Sequence, residues 1–130
     1  MPATKTRISH LSAVMVVVED QDRAVDFYVD KLGFEKRADI PFGDGNRWIE
    51  VAPADAQTPI SLCIAPEGSG VKPGEMTGIA LSTSDIDATY AELKTAGVDV
   101  DDQIARYGDP VPPMFWFRDV DRNTLLIVQQ

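Results

Sequence analysis

At 130 residues, 44% apolar and 25% charged, the chain has material for one packed core and too much of it for disorder. Its formal net charge of −9, with no basic stripe, argues against a nucleic-acid partner, because neutralising phosphates requires clustered Lys and Arg. No apolar run approaches the roughly 18 residues of a membrane span, and the leading MPATKTRISH has no hydrophobic stretch suited to a secretion signal. The lone Cys63 cannot form an internal disulfide and fits a reducing cytoplasm.

In chain order, LSAVMVVV (residues 11–18) is β-branched and apolar enough to be a strand buried on both faces. Asp20 or Asp22 then offers a carboxylate to the free N–H groups of a helix start. Ala24, Val25, Phe27, Tyr28 and Leu32 recur at helical spacing, and Gly33 ends the helix. Three strands follow near 34–40, 46–52 and 59–65, separated by the turns PFGDG and PADAQ. After the Gly/Pro-rich PEGSGVKPGE (66–75), the pattern returns: a strand from Gly78, a cap at Ser84 or Asp85, a helix ending at Gly97, then strands near 98–103, 112–118 and 123–129. Asp20 to Asp85 is a step of 65 and Gly33 to Gly97 a step of 64, so one strand-helix-three-strand unit is built twice. A ferredoxin-like arrangement has fewer strands per helix, and a doubly wound fold needs a helix after nearly every strand. The fold class is therefore α+β: two βαβββ modules, each sheet covered by one helix.

The order and spacing of EDQDRAVDFYVDKLGFE, GNRWIEV and FRDVDRNTLLIVQ resemble the vicinal oxygen chelate superfamily, which includes glyoxalase I, extradiol dioxygenases, fosfomycin resistance enzymes and bleomycin resistance proteins. The resemblance implies a single domain over residues 1–130, with module one at about 8–65, a linker at 66–75 and module two at about 76–130. It also implies a cup-shaped mixed sheet with helices outside, a ligand in the concavity, and assembly as a homodimer.

Enzymes of that superfamily hold a divalent metal through one residue on the first and last strand of each module. Here those positions fall on Ala13, Ser61, Gly78 and Leu126. Three have no donor atom, and a serine hydroxyl is a poor ligand alone. With one His and one Cys in the chain, a two-His triad cannot be assembled in one subunit. His10 has the wrong parity to join Ala13, and Cys63, with no base beside it, reads as a small hydrophobe. No metal or other cofactor is expected.

Strand alternation then lists what the cup holds. Leu11, Ala13, Met15, Ser61, Cys63, Gly78, Ala80, Ser82, Thr124, Leu126 and Val128 share one parity, while Val14, Val16, Ile60, Leu62, Ile79, Leu81, Leu125 and Ile127 suit the helices. Ile49, Val51, Phe115 and Phe117 are expected in the core, which turns Trp48, Glu50, Met114 and Trp116 inward. The ligand-binding set is thus Met15, Trp48, Glu50, Ser61, Met114, Trp116 and Leu126, with Phe42 and Tyr107 on loops at the mouth. Glu50 can pair with Arg37 or Arg47, bind a cationic group, or act as acid or base. In the turn DVDRN, Val120 and Arg122 stand where the resemblance implies Pro and Gly; an Arg at a position needing positive φ would be strained, which suggests another turn type. Two functions compete: a metal-free binder of an aromatic or apolar organic molecule, and a glyoxalase- or dioxygenase-like enzyme that uses a metal or Glu50.

Overall fold

Each half of the chain folds as a strand, a helix and three strands, in a computed structural model that describes residues 6–130. The leading residues 1–5, part of the segment read as lacking a secretion signal, lie outside it. The first half contains β1 (Val14–Val17), α1 (Gln21–Asp26, continued by a π turn at Phe27–Lys31), β2 (Glu35–Phe42), β3 (Asn46–Ala52) and β4 (Ile60–Cys63). The second contains β5 (Met76–Thr83), α2 (Ile86–Thr95), β6 (Asp99–Val100), β7 (Met114–Arg118) and β8 (Thr124–Gln129). They form two four-stranded sheets, ordered β1-β4-β3-β2 and β5-β8-β7-β6. Among the described residues no helix is long and apolar enough to cross a membrane.

Local chemistry starts and stops these elements. Of the alternative caps, Asp20 and Asp85 are used: Asp20 accepts from the Arg23 N–H at 3.1 Å and Asp85 from the Ala88 N–H at 3.0 Å. The helices end at Gly33 and Gly97, with φ of 76° and 83°. The repeat extends to strand register. Met15 pairs with Ser61 and Ala80 with Leu126, so both members of the pair advance by the same 65 residues.

The expected inward and outward faces are observed. Ile49, Val51, Leu62, Phe115, Phe117 and Leu125 are all at most 1% exposed. The helix-facing residues of both sheets, with Ala24, Tyr28, Ile86 and Leu93 of the helices, form one continuous core. In module two the Tyr90 ring stands edge-on to Phe115, with centroids 5.0 Å apart. One expectation is corrected. The first strand is shorter than 11–18 and is not buried on both faces, since β1 is an edge strand and Met15 is 59% exposed.

A buried polar knot joins the modules. Asp119, after β7, accepts from the backbone N–H groups of Asp121 and Asn123, both at 2.9 Å, and from Asn123 Nδ2 at 3.0 Å. Its Oδ2 also accepts the Tyr28 hydroxyl of module one at 2.7 Å. Asn123 Nδ2 donates back to the Val17 carbonyl at 2.9 Å, and Asp121 accepts from Arg23 Nη2 at 3.3 Å. Burial, then the Asp119 charge, raises the Tyr28 pKa far above the ordinary phenol value, so the hydroxyl stays protonated and donating. The turn does not change type to suit its arginine: Arg122 adopts φ 67°. Its N–H bonds the Asp119 carbonyl at 3.0 Å, and the carboxylate of Asp119 overdetermines the loop.

Removing the Tyr28 hydroxyl leaves a buried carboxylate short of a donor. Tyr28→Phe is expected to lower the unfolding free energy by about 2 kcal/mol, measured by urea titration.

Candidate ligand-binding site

The two sheet faces turned away from the shared core carry the residues expected to line a cup. In module one, the register aligns Met15, Ser61, Glu50 and Ala38 in one row across β1, β4, β3 and β2. The neighbouring row brings Trp48 opposite Ile40, and Phe42 lies opposite Asn46. Ile40, Phe42 and Trp48 are 57%, 53% and 36% exposed, so this face keeps several large apolar side chains in solvent contact. In module two, Trp116, Leu126 and Ala80 form one row and Met114, Val128 and Ser82 the next.

Within one chain these faces do not meet, because the helix-bearing sides are the ones joined through the core and the Asp119 knot. A cleft of about 180 Å³ lies over module one, where Met15, Phe42, Trp48 and Cys63 line it, and no residue of module two contributes. That is below the roughly 300–1,000 Å³ of typical ligand sites. Tyr107 is elsewhere. It shares a surface cleft with Asp87 and Tyr90 of α2 and with Ala105, which bridges Met114, whereas Phe42 lines the cleft over module one.

Electrostatics on the module-one face differ from expectation at Glu50. Arg47 donates to Asp39 through Nε at 3.1 Å and Nη2 at 2.7 Å, and to Asp22 at 2.8 Å. The Arg47 guanidinium thereby holds the Asp39 carboxyl down to about 2. Arg37 bonds Glu35 and the carbonyls of Pro53 and Ala54. Neither arginine pairs with Glu50. The carboxylate instead accepts the indole N–H of Trp48 at 2.9 Å, which fixes the ring beside it. Ser61 is 1% exposed, and its hydroxyl has no hydrogen-bond partner among the described residues. Nothing in the sequence marked that orphan beyond its place on the strand. Burial raises the Cys63 pKa, which keeps the thiol protonated, and its Sγ lies 3.6 Å from the Val16 carbonyl.

The metal positions of the superfamily do not fit a metal. Ala13, Gly78 and Leu126 offer no donor, and no group of three His, Cys, Asp or Glu residues converges among those described. Gly78 sits at a break in the β5–β8 register with φ 74°, a conformation that a larger side chain in its place would resist. His10 is exposed and bonds only its neighbour Ser9.

Paired βαβββ modules with free sheet faces opposite their helices define the class. The chain belongs to the glyoxalase/bleomycin resistance protein/dioxygenase superfamily, whose family model matches residues 7–127. It is 36% identical over 126 residues to the uncharacterized protein YetH of Bacillus subtilis (strain 168), a match that covers 92% of this chain and 98% of YetH. Among solved structures, a superfamily member from Sphaerobacter thermophilus DSM 20745 superposes with a TM-score of 0.89 at 35% identity, covering 96% of this chain and all (100%) of that one. TnmS3, an antibiotic-binding protein from Streptomyces sp. CB03234, superposes with a TM-score of 0.81 at 36% identity, covering 96% and 98%.

A buried hydroxyl without a partner costs about 1–3 kcal/mol. Ser61→Ala is therefore expected to raise the unfolding free energy of the ligand-free protein by about 1 kcal/mol; a fall in thermal stability would mean that the hydroxyl already has a partner.

Proposed function

We propose that this chain is a metal-free binding protein for an aromatic or apolar organic molecule, and that two copies pair so that module one of each faces module two of the other. The observation that carries this reading is the pair of open, ring-bearing faces. Met15, Trp48, Ile40 and Phe42 on one sheet and Met114, Trp116 and Leu126 on the other point away from the core that the described residues build. Apolar faces of this kind need a cover, and the two are matched in length and repeat. A second copy covers both at once, and twofold symmetry then makes two identical cups. TnmS3, with the same fold and 36% identity, is an antibiotic-binding protein, which supports a binding role and a natural-product-sized ligand.

Without donor atoms at Ala13, Gly78 and Leu126, the lyase and dioxygenase chemistry of metal-loaded relatives has no foothold here. Glu50 is committed to Trp48, and no second acid or base stands beside it in the register, so acid–base catalysis gains no support from the geometry.

Two measurements test the reading. Sedimentation equilibrium is expected to give twice the 14.2 kDa chain mass, and acridone is expected to quench tryptophan fluorescence with an affinity that Trp116→Leu weakens about fivefold to tenfold. A monomeric protein, or a Trp116→Leu variant that binds as the parent does, removes the shared cup. After exposure to Ni²⁺ or Zn²⁺ and dialysis, elemental analysis is expected to find far less than one metal per chain; stoichiometric retention would falsify the metal-free assignment.

A further inference from the structure

A cleft separate from both sheet faces lies where the two modules join. Its walls come from three places in the chain: Glu19 and Arg23 around the start of α1, Lys72 and Pro73 in the linker, and Val120–Arg122 in the turn between β7 and β8. It measures about 410 Å³, the size of a small-molecule site, and none of its lining residues belongs to a strand. Hydrogen bonds fix the walls to one another. The Gly74 N–H donates to Asn123 Oδ1 at 2.8 Å and the Thr124 N–H to the Glu75 carbonyl at 3.0 Å, which lays the linker against the turn. Asp121 accepts from the Glu19 N–H and from Arg23 Nη2, both at 3.3 Å, which brings the start of α1 to the same turn.

Charge sets this cleft apart. The chain carries a net −9, and several of its cations are consumed internally: Arg47 by Asp39 and Asp22, Arg106 by Asp87, Arg118 by Asp101. Lys72 and Arg122 make no ion pair among the described residues, and the Arg23 side chain stays 52% exposed beyond its long bond to Asp121. Arg122 also borders Asp99 and Asp101, but Arg118 already engages both, at 3.8 and 2.8 Å. Arg122 holds φ 67°, a conformation that glycine adopts without strain, so the turn carries a strained arginine that the fold itself does not require. Asp121 opposes an anion weakly, because its side chain is 1% exposed, burial raises its pKa, and Arg23 engages it. The exposed carboxylate on the rim is Glu19.

We propose that this cleft is a second binding site, for a phosphoryl group, free or at the head of a small organic ester. Arg122, Lys72 and Arg23 supply charge and N–H donors for the phosphoryl oxygens, and guanidinium groups match such oxygens in pairs. Val120 and Pro73 give the rest of an ester an apolar flank. A polyanion such as a nucleic acid runs onto Asp99, Asp101 and Asp102 beside Arg122, so the site selects a compact anion.

Isothermal titration calorimetry of the full chain at low salt, with phenyl phosphate and inorganic phosphate as probes, tests the site. Saturable binding is expected; a preference for phenyl phosphate assigns the ester, and equal affinity assigns the free anion. Arg122→Gly removes the guanidinium and the backbone strain together, so it is expected to weaken both probes about tenfold while leaving the protein at least as heat-stable. Lys72→Gln is expected to weaken both severalfold, and Glu19→Gln to tighten both about twofold. Trp116→Leu, on a sheet face of the cup, is expected to change neither. No saturable binding of either probe, an Arg122→Gly variant that binds as the parent does, or a loss of binding in Trp116→Leu overturns the proposal.

Discussion

The Asp119 carboxylate organises this molecule. A buried charge costs several kcal/mol unless it is fully hydrogen-bonded, and Asp119 recruits its donors from both modules: two backbone N–H groups and the Asn123 amide from its own turn, and the Tyr28 hydroxyl from α1. Because the partner hydroxyl lies on a helix, the modules are drawn together by their helix-bearing sides. Asn123 then reaches the Val17 carbonyl, and Lys31 Nζ bonds the Ala96 carbonyl at 2.6 Å, so the joint is polar at several points around one apolar core.

That choice of contact decides where function can lie. With both helix faces packed into the shared core, the opposite sheet faces carry much of the exposed apolar surface among the described residues. They keep large apolar groups in solvent contact, Met15 and Trp48 among them. The same geometry explains why a cleft over module one is too small to serve by itself. It also gives each face its own chemistry, since the strands that form it come from one module only.

Much of this was legible in residue order. Period-two alternation placed Ile49, Val51, Phe115 and Phe117 in the core and Trp48, Glu50 and Trp116 on the opposite face, because a strand's side chains have no other freedom. The repeat announced itself through Asp20 and Asp85, whose caps need only a local N–H three residues on. Less legible were features that depend on partners distant in sequence. Tyr28 reads as one more apolar helix position until Asp119, 91 residues away, is seen to accept its hydroxyl. Glu50 has arginines nearby in sequence, yet Asp39 and Asp22 compete successfully for Arg47 because β2 and α1 bring them closer. Arg122 sits in a left-handed turn that its own preferences oppose, held there by the Asp119 bonds around it.

By itself, the amino-acid order determined the two modules, their strand faces, the helix caps and the lack of donor atoms at the superfamily's metal positions. These are set by neighbours within a few residues or by the alternation of a single strand. Only tertiary structure decided that the helix faces meet, that Tyr107 and Phe42 line different clefts, that Glu50 holds an indole rather than a guanidinium, and that the Ser61 hydroxyl is left without a partner among the described residues. Each of those outcomes is a competition among groups far apart in the chain, and its winner depends on distances that exist only after folding.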